Sequence, residues 1–228
     1  MRGLSVQSLI QGLLMAALMG PPAVAGELAA HSHPMAAVFH GQASSATVRR
    51  FADWVTASSD NVGLPFVIVD KVDAEVFVFR PNGELSGAAP ALLGFARGDD
   101  TVPGIGSRPL AAIRPSERTT PAGRFVAAIG ADLGPQDVVW VDYDAAISLH
   151  RVVTAKPKER RLQRLATPTP SDNRISYGCI NVPAKFYDAV VRPAFLSSRG
   201  VVYILPEERP LAEVFPSYGE AVGPAAAR

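Results

Sequence analysis

Apolar and polar positions change period along this chain. Val48, Phe51, Ala52 and Val55 recur at helical spacing, with Arg49, Arg50 and Asp53 on the other faces. Ser44 and Ser45 just before them are helix-capping residue types, so a short amphipathic helix is expected within residues 44–60. From Leu64 the pattern turns to short runs rich in β-branched and aromatic residues. Those at 65–70 and 74–80 flank Asp70-Lys71-Val72-Asp73 and predict a hairpin. Pro81-Asn82-Gly83 marks another turn, and 91–95 reads as the next strand. Runs at 124–128, 138–143, 145–150 and 201–205 predict further strands. Pro183 opens a helix whose apolar side is Phe186, Tyr187, Val190 and Val191. The fold class is mainly β (α+β), one principal domain with a few short helices.

Two polar stretches interrupt this pattern. Residues 97–119 form a long loop carrying Arg108, Arg114 and Arg118, read either as a solvated loop or as the wall of a cleft. Residues 151–174 are basic, with Lys156, Lys158, Arg160, Arg161 and Arg164 against Glu159 and Asp172. That segment is a solubilising flap, a surface for carboxylates, or a surface for anionic lipid. Between them, Thr120-Pro121-Ala122-Gly123 specifies a bend.

The ends differ from the middle. Met1-Arg2, an apolar stretch over 8–20 and Ala23-Val24-Ala25 read as an export signal over 1–25. The apolar part falls short of the about 20 residues that a membrane span needs. Residues 26–43 read as a flexible tether and 207–228 as a loose tail. An exported protein is therefore expected, periplasmic or cell-wall associated, with no stable membrane span once the signal is removed. The formal net charge is +1, which points to no nucleic-acid partner. Neither metal-ligand spacing of Cys or His nor a phosphate-binding glycine loop is present, so no metal and no cofactor are expected.

Cys179 is the only cysteine. Outside the cytoplasm cysteines usually pair, and a single one cannot pair within its own chain. It follows Gly178, whose missing Cβ lets backbone and ligand approach closely. A thiol needs a base to lower its pKa, and histidine is the usual one. His31, His33 and His40 fall in the expected tether, whereas His150 ends a strand-like run. From the residues alone, two readings stand. Either Cys179 and His150 form a reactive pair, or one is an inert thiol and the other a strand cap.

The run Ser176-Tyr177-Gly178-Cys179-Ile180-Asn181 follows His150 and, further upstream, Thr120-Pro121-Ala122-Gly123-Arg124-Phe125. Together, in this order, they resemble the L,D-transpeptidase catalytic domain over residues 64–206. The resemblance implies a β-sandwich with Cys179 as nucleophile and His150 as base. It implies an oxyanion site from the backbone N–H groups of Tyr177, Gly178 and Cys179, and orientation of His150 by the carbonyl of Arg151. Ser176 and Asn181 would hold the loop's shape. Tyr177 stands where the family usually has a second histidine, and the 150–179 interval is longer than usual. The implied substrates are peptidoglycan stem peptides, cut at the L-centre of the third residue. The acyl group passes to an amine from another stem, an amino acid or a lipoprotein lysine, or to water in a carboxypeptidase or amidase. Arg174, Arg164 and Arg118 are the candidates for binding substrate carboxylates. Rival readings are a peptidoglycan-binding module without turnover and a periplasmic thiol sensor.

Overall fold

The computed structural model describes residues 36–132 and 134–223; the expected export signal and the first part of the expected tether lie outside them. Among the described residues the chain forms ten strands. They are β1 (Phe66–Asp70), β2 (Glu75–Phe79), β3 (Leu85–Pro90), β4 (Leu93–Gly94), β5 (Gly123–Ala131), β6 (Asp137–Asp142), β7 (Ile147–Arg151), β8 (Arg174–Ser176), β9 (Ile180–Val182) and β10 (Gly200–Ile204). Eight make one mixed sheet in the order β3-β2-β1-β10-β5-β6-β7-β9, and β4 pairs with β8 in a small second sheet. The hairpin β1–β2 is antiparallel, as its alternation predicts, while β1–β10 and β7–β9 are parallel. Val67, Val76, Val139, Leu149, Ile180 and Val202 share one core cluster, so the large sheet encloses it from both ends.

The other face of β1, β2 and β10 is aromatic. Phe66, Phe77, Phe79 and Tyr203 are buried there beneath α1 (Ala46–Ser58). Ser45 caps α1, its Oγ accepting from Val48 N at 3.1 Å and donating to Asp70 at 2.8 Å. That bond ties the helix start to the end of β1. A short α2 (Arg161–Ala166) lies in the basic segment. After β9, α3 (Ala184–Phe186) passes through a π turn (Tyr187–Val191) into α4 (Arg192–Phe195). Pro193 has no N–H and crowds the preceding turn, which accounts for the widened backbone.

Three expectations need correction. The last part of the expected tether, residues 36–43, packs on the domain: Val38 bridges to Glu84, and Phe39 sits edge-on to Phe77 and Phe79. The expected loose tail instead forms α5 (Leu211–Val214) and α6 (Pro216–Val222). Leu211, Phe215 and Tyr218 follow helical spacing and are buried against Phe51. The strand expected at 91–95 is shortened to the two-residue β4, and an unexpected strand, β3, precedes it. Asn82-Gly83 is a hairpin turn, and β3 is the return arm that it demands despite its weak strand composition. Phe215→Ala should cost about 3–5 kcal/mol, as for a buried ring removed from a packed cluster. Urea unfolding checks this; a loss below 1 kcal/mol would mean that the tail does not close the aromatic layer.

Candidate active site

Strand register brings the candidate residues together. On β6, β7 and β9 the core takes Val139, Val141, Ile147, Leu149, Ile180 and Val182. The alternate positions therefore face outward. Trp140 pairs across to Ser148, and His150 pairs with Asn181. Cys179 immediately precedes β9 and lies beside Ser148, whose Oγ is 3.6 Å from Sγ. Sγ is also 3.6 Å from the Ala146 carbonyl, which accepts from the thiol while it is protonated. The Ala146 carbonyl, in the turn before β7, and the Ser148 and His150 side chains, at alternate positions on β7, thus flank one sulfur. Ser148 was missed by the sequence reading, although its place two residues before His150 is the signal that would have found it.

The imidazole is fixed at its other end. His150 Nδ1 lies 2.7 Å from the carbonyl of Arg151. A carbonyl only accepts, so Nδ1 carries the hydrogen and Nε2 is left to face the thiol. Arg151 is itself clamped by Asp137 and Asp188 and stacks over Tyr187 at 4.1 Å. Burial alone would push the Cys179 thiol up and the His150 imidazole down. The hydrogen bond and charge attraction between the two outweigh burial, and Ser148 adds its N–H and hydroxyl on the sulfur. The thiol therefore titrates below its ordinary range and the imidazole above its own, which favours a thiolate–imidazolium pair.

The loop before the sulfur is held by its own side chains. Ser176 Oγ donates to the Cys179 carbonyl at 2.7 Å and accepts from Gly178 N at 3.0 Å. Asn181 Nδ2 donates to the same carbonyl at 3.2 Å. The Gly178 N–H is therefore spent on Ser176, which corrects the expected set of three oxyanion donors. The N–H groups of Tyr177 and Cys179 have no acceptor among the described residues. Gly178 has φ +129°, and a Cβ there would meet Ile147 Cδ1 and the Thr119 carbonyl, each at 2.6 Å. Gly178→Ala should cost about 1–3 kcal/mol in backbone strain. It should also slow thiol labelling of Cys179, read by mass spectrometry; unchanged labelling would show that the loop tolerates a side chain.

Behind the loop lies a buried polar anchor. Thr120 Oγ1 donates to the Gly178 carbonyl at 2.8 Å and accepts from Gly94 N at 2.9 Å. The Thr120 carbonyl accepts from Lys71 Nζ, which also reaches Gly98 and Asp99. The Thr-Pro-x-Gly stretch is thus a bend that braces the cysteine loop.

The candidate carboxylate binders fare differently. Arg174 is buried and donates twice to Glu207 and once to the Lys71 carbonyl, so it is committed to the anchor and is corrected as a substrate contact. Arg164 donates to the carbonyls of Glu159 and Asp172 and lines a separate groove without Cys179. Arg118 stacks on Tyr177 at 3.9 Å and donates to the Ile113 carbonyl, so it supports the ring beside the sulfur. The arginine that the basic segment does bring to the site is Arg161, whose Nη1 donates to Asn181 Oδ1 at 2.7 Å. Nothing in the sequence singles it out from its basic neighbours.

Cys179 lines two clefts, which share Leu110 and Tyr177. One, of about 70 Å³, is walled by Ile105, Ile113 and Ala146. The other, of about 270 Å³, holds His150, Lys156, Arg161 and Asn181. A larger cleft, of about 590 Å³, lies elsewhere against Phe79 and Val190; its Glu84 pairs with both Arg80 and His40, and Cys179 and His150 are not in its wall.

No protein-family model matches the chain, and no curated protein sequence matches it. Several solved structures do. A cysteine-to-serine variant of an Enterococcus faecium L,D-transpeptidase is 14% identical over 62% of this chain and 49% of its own, with TM-score 0.34. The helical cell shape determining protein Pgp2 from Campylobacter jejuni is 13% identical over 64% of this chain and 49% of its own, with TM-score 0.42. L,D-transpeptidase 3 from Mycobacterium tuberculosis, bound to a faropenem-derived adduct, is 14% identical over 63% and 60%, with TM-score 0.37. The chain spans about half the length of the first two.

Proposed function

We propose that this chain is an exported cysteine acyltransferase of the L,D-transpeptidase type, acting on peptidoglycan stem peptides. The observation that carries this reading is the half-buried Cys179 held between Ser148 and His150, inside a loop with the family's motif order. Cys179 thiolate attacks the carbonyl carbon of the stem's third residue. The oxyanion that forms is met by the free N–H groups of Tyr177 and Cys179. His150, protonated by the thiol, gives its proton to the departing terminal amine as the carbon–nitrogen bond breaks. A thioester remains. An amine from a second stem or an amino acid then takes the acyl group, and water would do so in a hydrolytic enzyme. Splitting the transfer through a covalent intermediate lets one sulfur serve both halves. No described helix is long and apolar enough to cross a membrane.

The test is intact-protein mass spectrometry after incubation with a tetrapeptide stem. An acyl adduct located on Cys179, with release of the terminal amino acid and no adduct on Cys179→Ala, is expected. Absence of an adduct, with the stem unchanged, would remove the proposal.

A further inference from the structure

The clefts at Cys179 are not equivalent, because His150 lines only one of them. Proton transfer from or to a reacting amine requires that amine to lie within hydrogen-bond reach of the base. The amine that leaves takes its proton from His150, and the amine that arrives gives one back. Both must therefore occupy the His150 side of the sulfur, leaving the Ile105 and Ala146 side to the acyl portion.

That same side is walled by the basic segment. Arg161 is largely buried there, with Nε on Glu159 at 2.6 Å and Nη1 on Asn181. Its Nη2 has no acceptor among the described residues, and Arg161 lines the same cleft as Cys179. Lys156, further out in this cleft, is 72% exposed and only 3.7 Å from Glu159. The cleft thus has a fixed guanidinium edge inside and a movable ammonium at its rim. Planar guanidinium donors match a carboxylate well.

We propose that Arg161, assisted by Lys156, recognises the α-carboxylate of the amine that leaves or enters through the His150 cleft, so that this site prefers amino acids over amines lacking a carboxylate. This rests on the acyltransferase reading. In the second half-reaction the amine nitrogen attacks the thioester carbon, and a carbon–nitrogen bond forms as the carbon–sulfur bond breaks. The electron pair returns to Sγ, and the amine's proton passes to His150 Nε2. The Arg161 contact would hold that amine so that its nitrogen lies between the imidazole and the thioester.

The experiment compares D-alanine with D-alaninamide as acceptors for Cys179 acylated by a tetrapeptide stem, scored as the ratio of their kcat/KM values. The full chain after signal removal should prefer D-alanine by about tenfold or more, the scale of one charge-assisted contact. Arg161→Gln should bring the ratio close to one, and Lys156→Gln should reduce it by a smaller factor. The ratio is internal to each variant, so a general loss of rate does not imitate the result. Equal use of both acceptors by the unmodified protein overturns the inference whatever the variants do. So does an unchanged ratio in Arg161→Gln. If Cys179 takes up no acyl group, the underlying reaction falls as well. If it is acylated but shows no preference, only the assignment of Arg161 falls.

Discussion

Cys179→Ala should abolish acyl transfer, a loss on the order of a million-fold where a nucleophile acting in concert with its base is removed. His150→Gln should cost about a hundred- to ten-thousand-fold, the range for a lost general acid–base. The pH dependence separates the two roles. The Cys179 thiol is held below its ordinary range and the His150 imidazole above its own, each by the other. As pH falls, the thiolate persists past the point at which a free thiol, near pKa about 8.5, would already be protonated. As pH rises, His150 keeps its proton past the ordinary histidine value and then loses it. Iodoacetamide labelling of Cys179 should therefore stay fast at pH 6–7 in the native protein and become slow there in His150→Gln. Ordinary thiol behaviour in both proteins would show that no pair exists.

Lys71→Met should be the most destabilising substitution outside the apolar core. Lys71 is fully buried, and its ammonium lies 2.7 Å from Asp99 and 3.7 Å from Glu207. Burial pushes the Lys71 pKa down, against the pull of the two carboxylates. Burial pushes Asp99 up, but Lys71 and the backbone N–H groups of Glu207, Glu208 and Arg209 hold its carboxyl below the usual range. Removing the ammonium strands a buried charge, which typically costs about 3–5 kcal/mol. For a domain of this size each kcal/mol lowers Tm by about 2–4 °C. The Thr120 carbonyl would lose its cation too, so labelling of Cys179 should slow in the surviving folded fraction. A melting curve within 2 °C of the native protein's would show that the anchor contributes little. Because the Asp99 pKa is depressed, its contribution is present above the ordinary carboxylate range and is lost as pH falls through the folded value.

Much of this was legible beforehand, and the reasons are particular. Strands such as β1 and β6 carry dense β-branched runs, so their existence could be read directly. Cys179 and His150 stood out because one is unique and the other ends a strand. What escaped reading depends on distant partners. The residues of α5 and α6 look like a polar, proline-marked tail until Phe51 is known to sit opposite Phe215. Arg174 and Arg161 have the same chemistry and lie in one basic segment, yet one is consumed by Glu207 and the other edges the cleft. Only the fold assigns them. Ser148 and the spent N–H of Gly178 likewise follow from register and loop closure, which no local pattern encodes.

The alternation along β6, β7 and β9 has a consequence for how this protein can change. Ser148 and Asn181 lie on the opposite side of their strands from Leu149 and Ile180, yet they are buried too, against Cys179 and Arg161. A mutational library confined to the exposed rim residues Leu110 and Lys156 would vary the cleft on an intact scaffold. The same library moved onto Ser148, Asn181 or their apolar neighbours would disturb the cysteine loop or the core, so new specificity is accessible here through very few positions.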